Sequence, residues 1–101
     1  MGSRLEFQQE LETLLGTRNV YFQPPASIKL KYPAIVYELG KMDPVKASNV
    51  VYLNRIAYDV TYIDKDPDNT MKDKLLRFPY SEFSRFYVSD NLNHYTFTIY
   101  Y

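Results

Sequence analysis

Apolar and polar positions change period several times along the chain, and each change marks an element. Residues 3–16 follow a helical period. Leu5, Leu11, Leu14 and Leu15 approximate one apolar stripe with Phe7 near its edge, and Glu6, Glu10 and Glu12 fall toward solvent. Ser3 is placed to cap this helix, Glu6 completes a reciprocal capping box, and Gly16 supplies the stop. Val20-Tyr21-Phe22 reads as a short strand closed by Pro24-Pro25, which cannot donate to a central ladder. Pro33 interrupts the next apolar run, so the spacing predicts a strand over Ala34–Leu39, with Ile28–Tyr32 as a loop or edge approach. Gly40–Asn49 is polar, contains Asp43-Pro44, and reads as a loop suited to engaging a partner.

The clearest alternation follows. Val50–Leu53 and Ile56–Ile63 are either two strands joined near Asn54-Arg55 or one long strand. Ile56, Tyr58, Val60 and Tyr62 share one face; Ala57, Asp59, Thr61 and Ile63 share the other. A second helix is expected to start at Asp66 as cap, with Pro67 at the first helical position and Asp68 adding favourable charge. Met71, Leu75 and Phe78 form its stripe, Leu76 widens it, and Pro79 ends it. Phe83–Ser89 and His94–Tyr101 then read as hairpin arms around a turn region at Asp90–Asn93. In the second arm Tyr95, Phe97, Ile99 and Tyr101 alternate with Thr96, Thr98 and Tyr100. The expected architecture is a single domain over residues 1–101, of the α+β class: a mainly antiparallel mixed sheet with two helices packed on one face. Tyrosine, threonine and isoleucine on the opposite face make it a candidate for burial against another subunit.

Composition narrows the chemistry. A chain of 101 residues suits one domain with a small core, and 46% apolar residues suffice to build it. With no cysteine there is no disulfide, thiolate nucleophile or cysteine-ligated metal. Charged residues interrupt every apolar stretch of the N-terminal segment, so no signal peptide is expected, and no run approaches the roughly 18 apolar residues of a membrane span. Twelve basic and twelve acidic residues give a formal net charge of +0, which offers little long-range attraction for nucleic acid or anionic lipid. Eleven tyrosines beside six phenylalanines and no tryptophan suit half-buried strands and protein interfaces.

No constellation points to catalysis. His94 is the single histidine, has no HExxH context, and reads as a surface residue at a turn. Asp64, Asp66 and Asp68 resemble the start of a calcium loop but lack its glycine and closing glutamate, so capping and solvation explain them. Asp59 has no identifiable carboxylate partner for acid–base work. Phosphate-binding and nucleophile-elbow motifs are missing. Lys29 and Lys31 with Tyr32, and Arg85 beside Phe86 and Tyr87, alternate base and ring as single-strand binders do, but also as half-exposed strands do. No cofactor is expected, and the chain reads as a non-enzyme.

The order of elements, together with Arg18-Asn19-Val20-Tyr21-Phe22-Gln23-Pro24-Pro25, Tyr32-Pro33-Ala34-Ile35-Val36-Tyr37 and Tyr58-Asp59-Val60-Thr61-Tyr62-Ile63-Asp64, resembles small tail-completion and tail-terminator (head–tail joining) proteins of long-tailed bacteriophages. The likeness is to versions from phages, or phage-derived prophage elements, of Gram-positive bacteria, and runs from about Leu5 to Tyr101. It implies a structural protein of the virion tail or neck, made in the bacterial host cytoplasm and assembled as a homo-hexameric ring. Such a ring ends the tail tube, meets neck or head-completion proteins, and passes DNA without sequence-specific binding; no membrane is involved. It further implies that Lys41 and Lys46 are possible channel-facing residues, and that Tyr58, Tyr62, Tyr95 and Phe97 are subunit-contact or core aromatics. The chain is shorter than many terminators and has no obvious long loop, so tail terminus, neck and head-closure ring all remain as stations. The alternative reading is a monomeric protein-binding adaptor without catalytic activity.

Overall fold

The protein is described by a computed structural model over residues 3–40 and 55–101. Helix α1 spans Arg4–Leu15 and carries both expected ends. The Ser3 hydroxyl accepts the Glu6 amide at 3.2 Å while the Glu6 carboxylate accepts back from Ser3, so orphan donors of the first turn are satisfied in both directions. Gly16 closes the helix at φ 81°, a left-handed conformation that glycine adopts without a Cβ penalty, and its amide donates to the Glu12 carbonyl at 2.9 Å.

The buried face of α1 corrects the expected stripe. Phe7 and Leu11 are fully buried, Leu14 and Leu15 pack beside them, and Leu5 is 63% exposed. At 3.6 residues per turn Leu5 lies about 160° around the helix from Phe7, so the two cannot share a face. The aromatic ring takes the core because the sheet beneath it is itself aromatic.

That sheet has five strands in the order β1-β2-β3-β5-β4: β1 Val20–Phe22, β2 Ala34–Leu39, β3 Ala57–Asp64, β4 Ser81–Ser89 and β5 Leu92–Tyr100. Only β1 and β2 pair in parallel; the other neighbours are antiparallel. The fold is therefore α+β, with a mixed, mostly antiparallel sheet and its two described helices against it. β1 and β2 match the strands expected from the proline-bounded runs, whereas β3 lies one residue later than Ile56–Ile63. Segments 41–49 and 50–53, read above as a loop and a strand, lie outside the described residues.

Cross-strand register defines the two faces. Ile35 pairs with Tyr62 and Tyr62 with Tyr95; Tyr37 pairs with Val60 and Val60 with Phe97; Tyr58 pairs with Ile99. These side chains form one buried face, against which Phe7, Leu11, Met71 and Leu75 of the helices pack. Phe7 is the hub. Its ring stacks on Tyr58 at 4.7 Å between centroids, meets Tyr37 edge-on at 5.5 Å and Phe78 edge-on at 5.6 Å, and lies 4.8 Å from Tyr101. Such offset and edge contacts add to area burial for each pair. Polar ends of the tyrosines are placed at the rim: the Tyr37 hydroxyl donates to Gln8 Oε1 and accepts from Arg4 Nη1 at 3.2 Å, tying β2 to α1. Tyr58 Oη is the exception, a buried hydroxyl with no hydrogen-bond partner among the described residues.

The second helix is shorter than the sequence pattern predicts. Helix α2 spans Met71–Leu76 and its cap position is Thr70, whose side chain makes no capping bond; Asn69 Oδ1 instead accepts the Lys72 amide at 3.4 Å. Asp66 and Pro67 precede it in a turn instead. Asp64 Oδ1 accepts the Asp66 amide at 3.0 Å, Asp66 Oδ1 accepts the Asp68 amide at 2.9 Å, and Asn69 Nδ2 donates to the Asp66 carbonyl at 2.9 Å. Successive side-chain-to-backbone bonds of this kind hold the chain in turns and compete with the helical ladder. Met71 and Leu75 are buried and Phe78 packs on the core, but Leu76 is 45% exposed and does not widen the stripe.

The hairpin also differs in its turn. Asp90 and Asn91 alone form the loop, with φ of 54° and 61°. Two consecutive left-handed residues make the turn whose twist matches antiparallel strands, and Asp and Asn tolerate that region better than most side chains. Leu92 and Asn93 thus belong to β5, not to the turn. A bulge between Phe83 and Arg85 inserts one extra residue into β4, where Thr96 Oγ1 accepts the Arg85 amide at 3.0 Å and donates to its carbonyl at 3.1 Å.

Candidate assembly surfaces

The groups with chemical potential are dispersed over the fold. His94 lies within β5, half-buried, its ring stacked on Tyr87 at 4.6 Å between centroids and its Nδ1 3.0 Å from the Leu92 carbonyl. It is thus a strand residue, not a turn residue. The carboxylates of Asp64 and Asp66 are engaged in the turns before α2, and the Tyr62 hydroxyl donates to Asp64 as well. Among the described residues no group of three or more His, Asp or Glu side chains is arranged to hold a metal ion.

Asp59 does have a carboxylate neighbour that sequence reasoning missed. The β2–β3 register sets Glu38 directly opposite it. Both are exposed on the sheet face away from the helices. Like charges at a directly opposed pair oppose strand pairing. Thr98 is the other neighbour of Asp59, on β5. Asp59→Thr is therefore expected to raise stability by roughly 0.5–1 kcal/mol, from relieved repulsion, a threonine–threonine pair and better strand propensity. Urea unfolding of the variant at low and high salt checks this: the gain should shrink with salt, and a loss of stability would sink the account.

The aromatic residues singled out from sequence fall in the core of the chain itself. Tyr58, Tyr62, Tyr95 and Phe97 are 0%, 2%, 6% and 1% exposed. Burial raises the Tyr62 phenol far above its ordinary range, and the neighbouring Asp64 carboxylate, which favours the neutral hydroxyl, raises it further. Lys41 and Lys46 lie outside the described residues.

Three surfaces remain. The first is the sheet face opposite the helices, where half-buried Tyr21, Val36, Thr61, Thr96, Thr98 and Tyr87 stand with no described helix over them. The second is an open groove between α1 and α2, where Glu6 and Glu10 face Lys74 and Arg77 across Leu14, Phe78 and Tyr101. A hydrogen bond to the Glu10 carboxylate, with burial second, pushes the Tyr101 phenol up to about 12. The third is β4, the edge of the sheet among the described residues, whose Phe83, Phe86 and Val88 are 49%, 49% and 59% exposed. The sequence marked Phe83–Ser89 as a hairpin arm but carried no sign of what covers these side chains.

The two basic-aromatic patches stay apart. Lys29, Lys31 and Tyr32 follow β1, with the Lys31 amide donating to the Tyr21 hydroxyl at 3.2 Å. Arg85 lies over the Tyr87 ring at 4.6 Å on β4, at the opposite edge of the sheet. Among the described residues they form no continuous stripe for a nucleic-acid backbone. No family model matches the chain, and neither a curated protein nor a solved structure matches it.

Proposed function

We propose that this protein is a structural subunit that works by contact, and that its assembly is a ring at the tail or neck of a long-tailed bacteriophage. The observation that carries the structural part is the one-sided packing of the described helices, which leaves the middle of the other face half-buried between buried Ala34 and Ile63 at one end and Ala57 and Tyr100 at the other. Both described helices pack on one face, and the other presents a row of tyrosine, threonine and valine with no described helix above it. Side chains of this type, apolar in body and polar at the tip, are enriched where subunits meet. The phage setting rests on the sequence resemblance alone. Within it, a head-to-tail contact repeated by rotation closes a ring, and a chain with zero formal net charge suits passage of DNA better than retention of it.

Light scattering over a concentration series, with negative-stain imaging of any large species, tests the proposal. A mass near six subunits with annular particles is the expected result, either from the protein alone or after mixing with tail-tube and neck proteins. A strict monomer that forms no annuli even with those proteins would replace the ring with the adaptor reading, for which the same face, free of described helices, serves as the docking surface.

A further inference from the structure

Strand β4 offers nine residues of sheet edge, long for a strand that guards itself only by one bulge. The Tyr100 amide donates to the Tyr80 carbonyl, and Arg85 faces Thr96 with both its amide and its carbonyl. The alternation of an antiparallel ladder then turns the backbone groups of Ser81, Phe83, Phe86 and Val88 to the outer edge. Their side chains share the helix-bearing face, since Phe83 pairs with Phe97, Phe86 with Tyr95 and Val88 with Asn93. Among the described residues no strand pairs with this edge, so at Phe83, Phe86 and Val88 outward backbone groups and exposed apolar side chains coincide.

We infer that β4 pairs antiparallel with β4 of a second copy of this chain about a two-fold axis between Ser84 and Arg85. Three properties select this occupant. In that register Phe83 meets Phe86 of the other copy, Phe86 meets Phe83, and Ser81 meets Val88, so every outward residue finds an outward residue. The bulge, which spoils pairing with an unrelated straight strand, is matched: the extra residue of one copy lies beside the extra residue of the other, and the ladder stays in phase on both sides. On the opposite face Glu82 comes diagonally beside Arg85 of the second copy, twice by symmetry, which makes the edge charge-complementary to itself. The other edge strand, β1, has three residues followed by Gln23 at φ 44° and Pro24-Pro25, and gives no such match.

Size sets the strength. A whole aromatic side chain offers on the order of 150–250 Å², so two half-exposed phenylalanines and Val88 present roughly 300 Å² per copy. A symmetric pair buries about 600 Å² of apolar side chain plus the joined backbone edge, at or below the ~1,200 Å² where stable interfaces begin. The pair is therefore a weak, concentration-dependent dimer. It is also separate from ring closure, because a two-fold contact matches a surface with itself and a ring contact joins two different surfaces.

Sedimentation velocity from low micromolar to near-millimolar protein, with single-cysteine cross-linking, tests the inference. The natural sequence contains no cysteine, so an introduced one reports alone. Wild-type protein should show a monomer–dimer equilibrium that Phe86→Lys weakens at least tenfold and that Leu39→Lys, at the exposed end of β2, leaves in place. Ser84→Cys, near the axis, should oxidise to a covalent dimer, and Ser89→Cys, at the strand end, should not under the same conditions. Monomers throughout, equal cross-linking at both positions, or equal loss with Leu39→Lys would overturn the β4 pairing. Annular hexamers without the Ser84→Cys cross-link would overturn it and leave the ring standing; a cross-linked dimer that never forms rings would do the reverse.

Discussion

Replacing Phe7 by alanine is expected to cost about 3–5 kcal/mol, a large share of the roughly 5–15 kcal/mol that a domain has in total. The ring is 0% exposed and touches Tyr37 and Tyr58 on the inner strands β2 and β3, Tyr101 just after β5, and Phe78 after α2. Its removal leaves a cavity that the rigid strands beneath it cannot close, so the lost contacts are not recovered. At about 4–8 °C per kcal/mol for a domain of this size, the melting temperature should fall by more than ~12 °C. Leu5→Ala is the informative companion. Leu5 is the more obvious apolar residue of the sequence stripe, but it is 63% exposed, and its replacement should stay within ~0.5 kcal/mol. Thermal and urea unfolding followed by circular dichroism separate the two. Comparable losses at both positions would mean that α1 packs by the stripe around Leu5 and that the orientation described here is wrong.

Raising the pH above 10 is expected to unfold the protein in a way that Tyr62 controls. Burial first, and hydrogen bonding to Asp64 second, raise the Tyr62 phenol well above its ordinary value of 10.0. Burial likewise raises Tyr37 and Tyr58, with Arg4 opposing it in both. A phenol whose folded pKa exceeds its unfolded one holds its proton more tightly in the native state. Its contribution is whole below pH 10 and declines as pH climbs from there through the raised folded value, because the unfolded chain ionises first. Absorbance at the tyrosinate band should therefore include a step, from the buried tyrosines, that coincides with loss of secondary structure. Tyr62→Phe removes one of the strongest of these linkages. It should cost about 1 kcal/mol near neutrality through the lost bond to Asp64, yet flatten the decline of stability above pH 10. A decline as steep as that of wild type would show that Tyr62 ionises no differently in the folded and unfolded chains.

The parts legible in the sequence were those set by local rules. β1 and β2 are bounded by prolines, α1 by a capping box and a glycine, and each is found where those residues place it. The start of α2 was not legible, because the aspartates that suit a helix cap also suit the turns they actually form, and only the local hydrogen bonds decide between them. Alternation set Tyr58 beside Tyr62 and Tyr95 beside Phe97 on their strands, and only the resemblance offered them as core or subunit contacts, without telling which. The opposition of Glu38 and Asp59 depends on a register between strands nineteen or more residues apart in sequence, which no local pattern encodes. The exposure of Phe83, Phe86 and Val88 depends on which strands the helices cover, which no local pattern encodes.

Strand β5 comes last among the strands in sequence but lies between β3 and β4 in the sheet. During vectorial synthesis, α1 and strands β1 to β3 leave the ribosome with half of their hydrogen-bonding edge and the ring of Tyr58 unsupported on one side. Nothing made earlier can substitute, because Phe97, Tyr95 and Ile99 occupy the centre of the core. Folding must therefore wait until residues 92–100 have cleared the exit tunnel, and then proceed in one step by closing the local β4–β5 hairpin onto β3. A nascent chain that lacks β5 would expose the tyrosine-rich strand β3 along one edge, the kind of surface that chaperones cover.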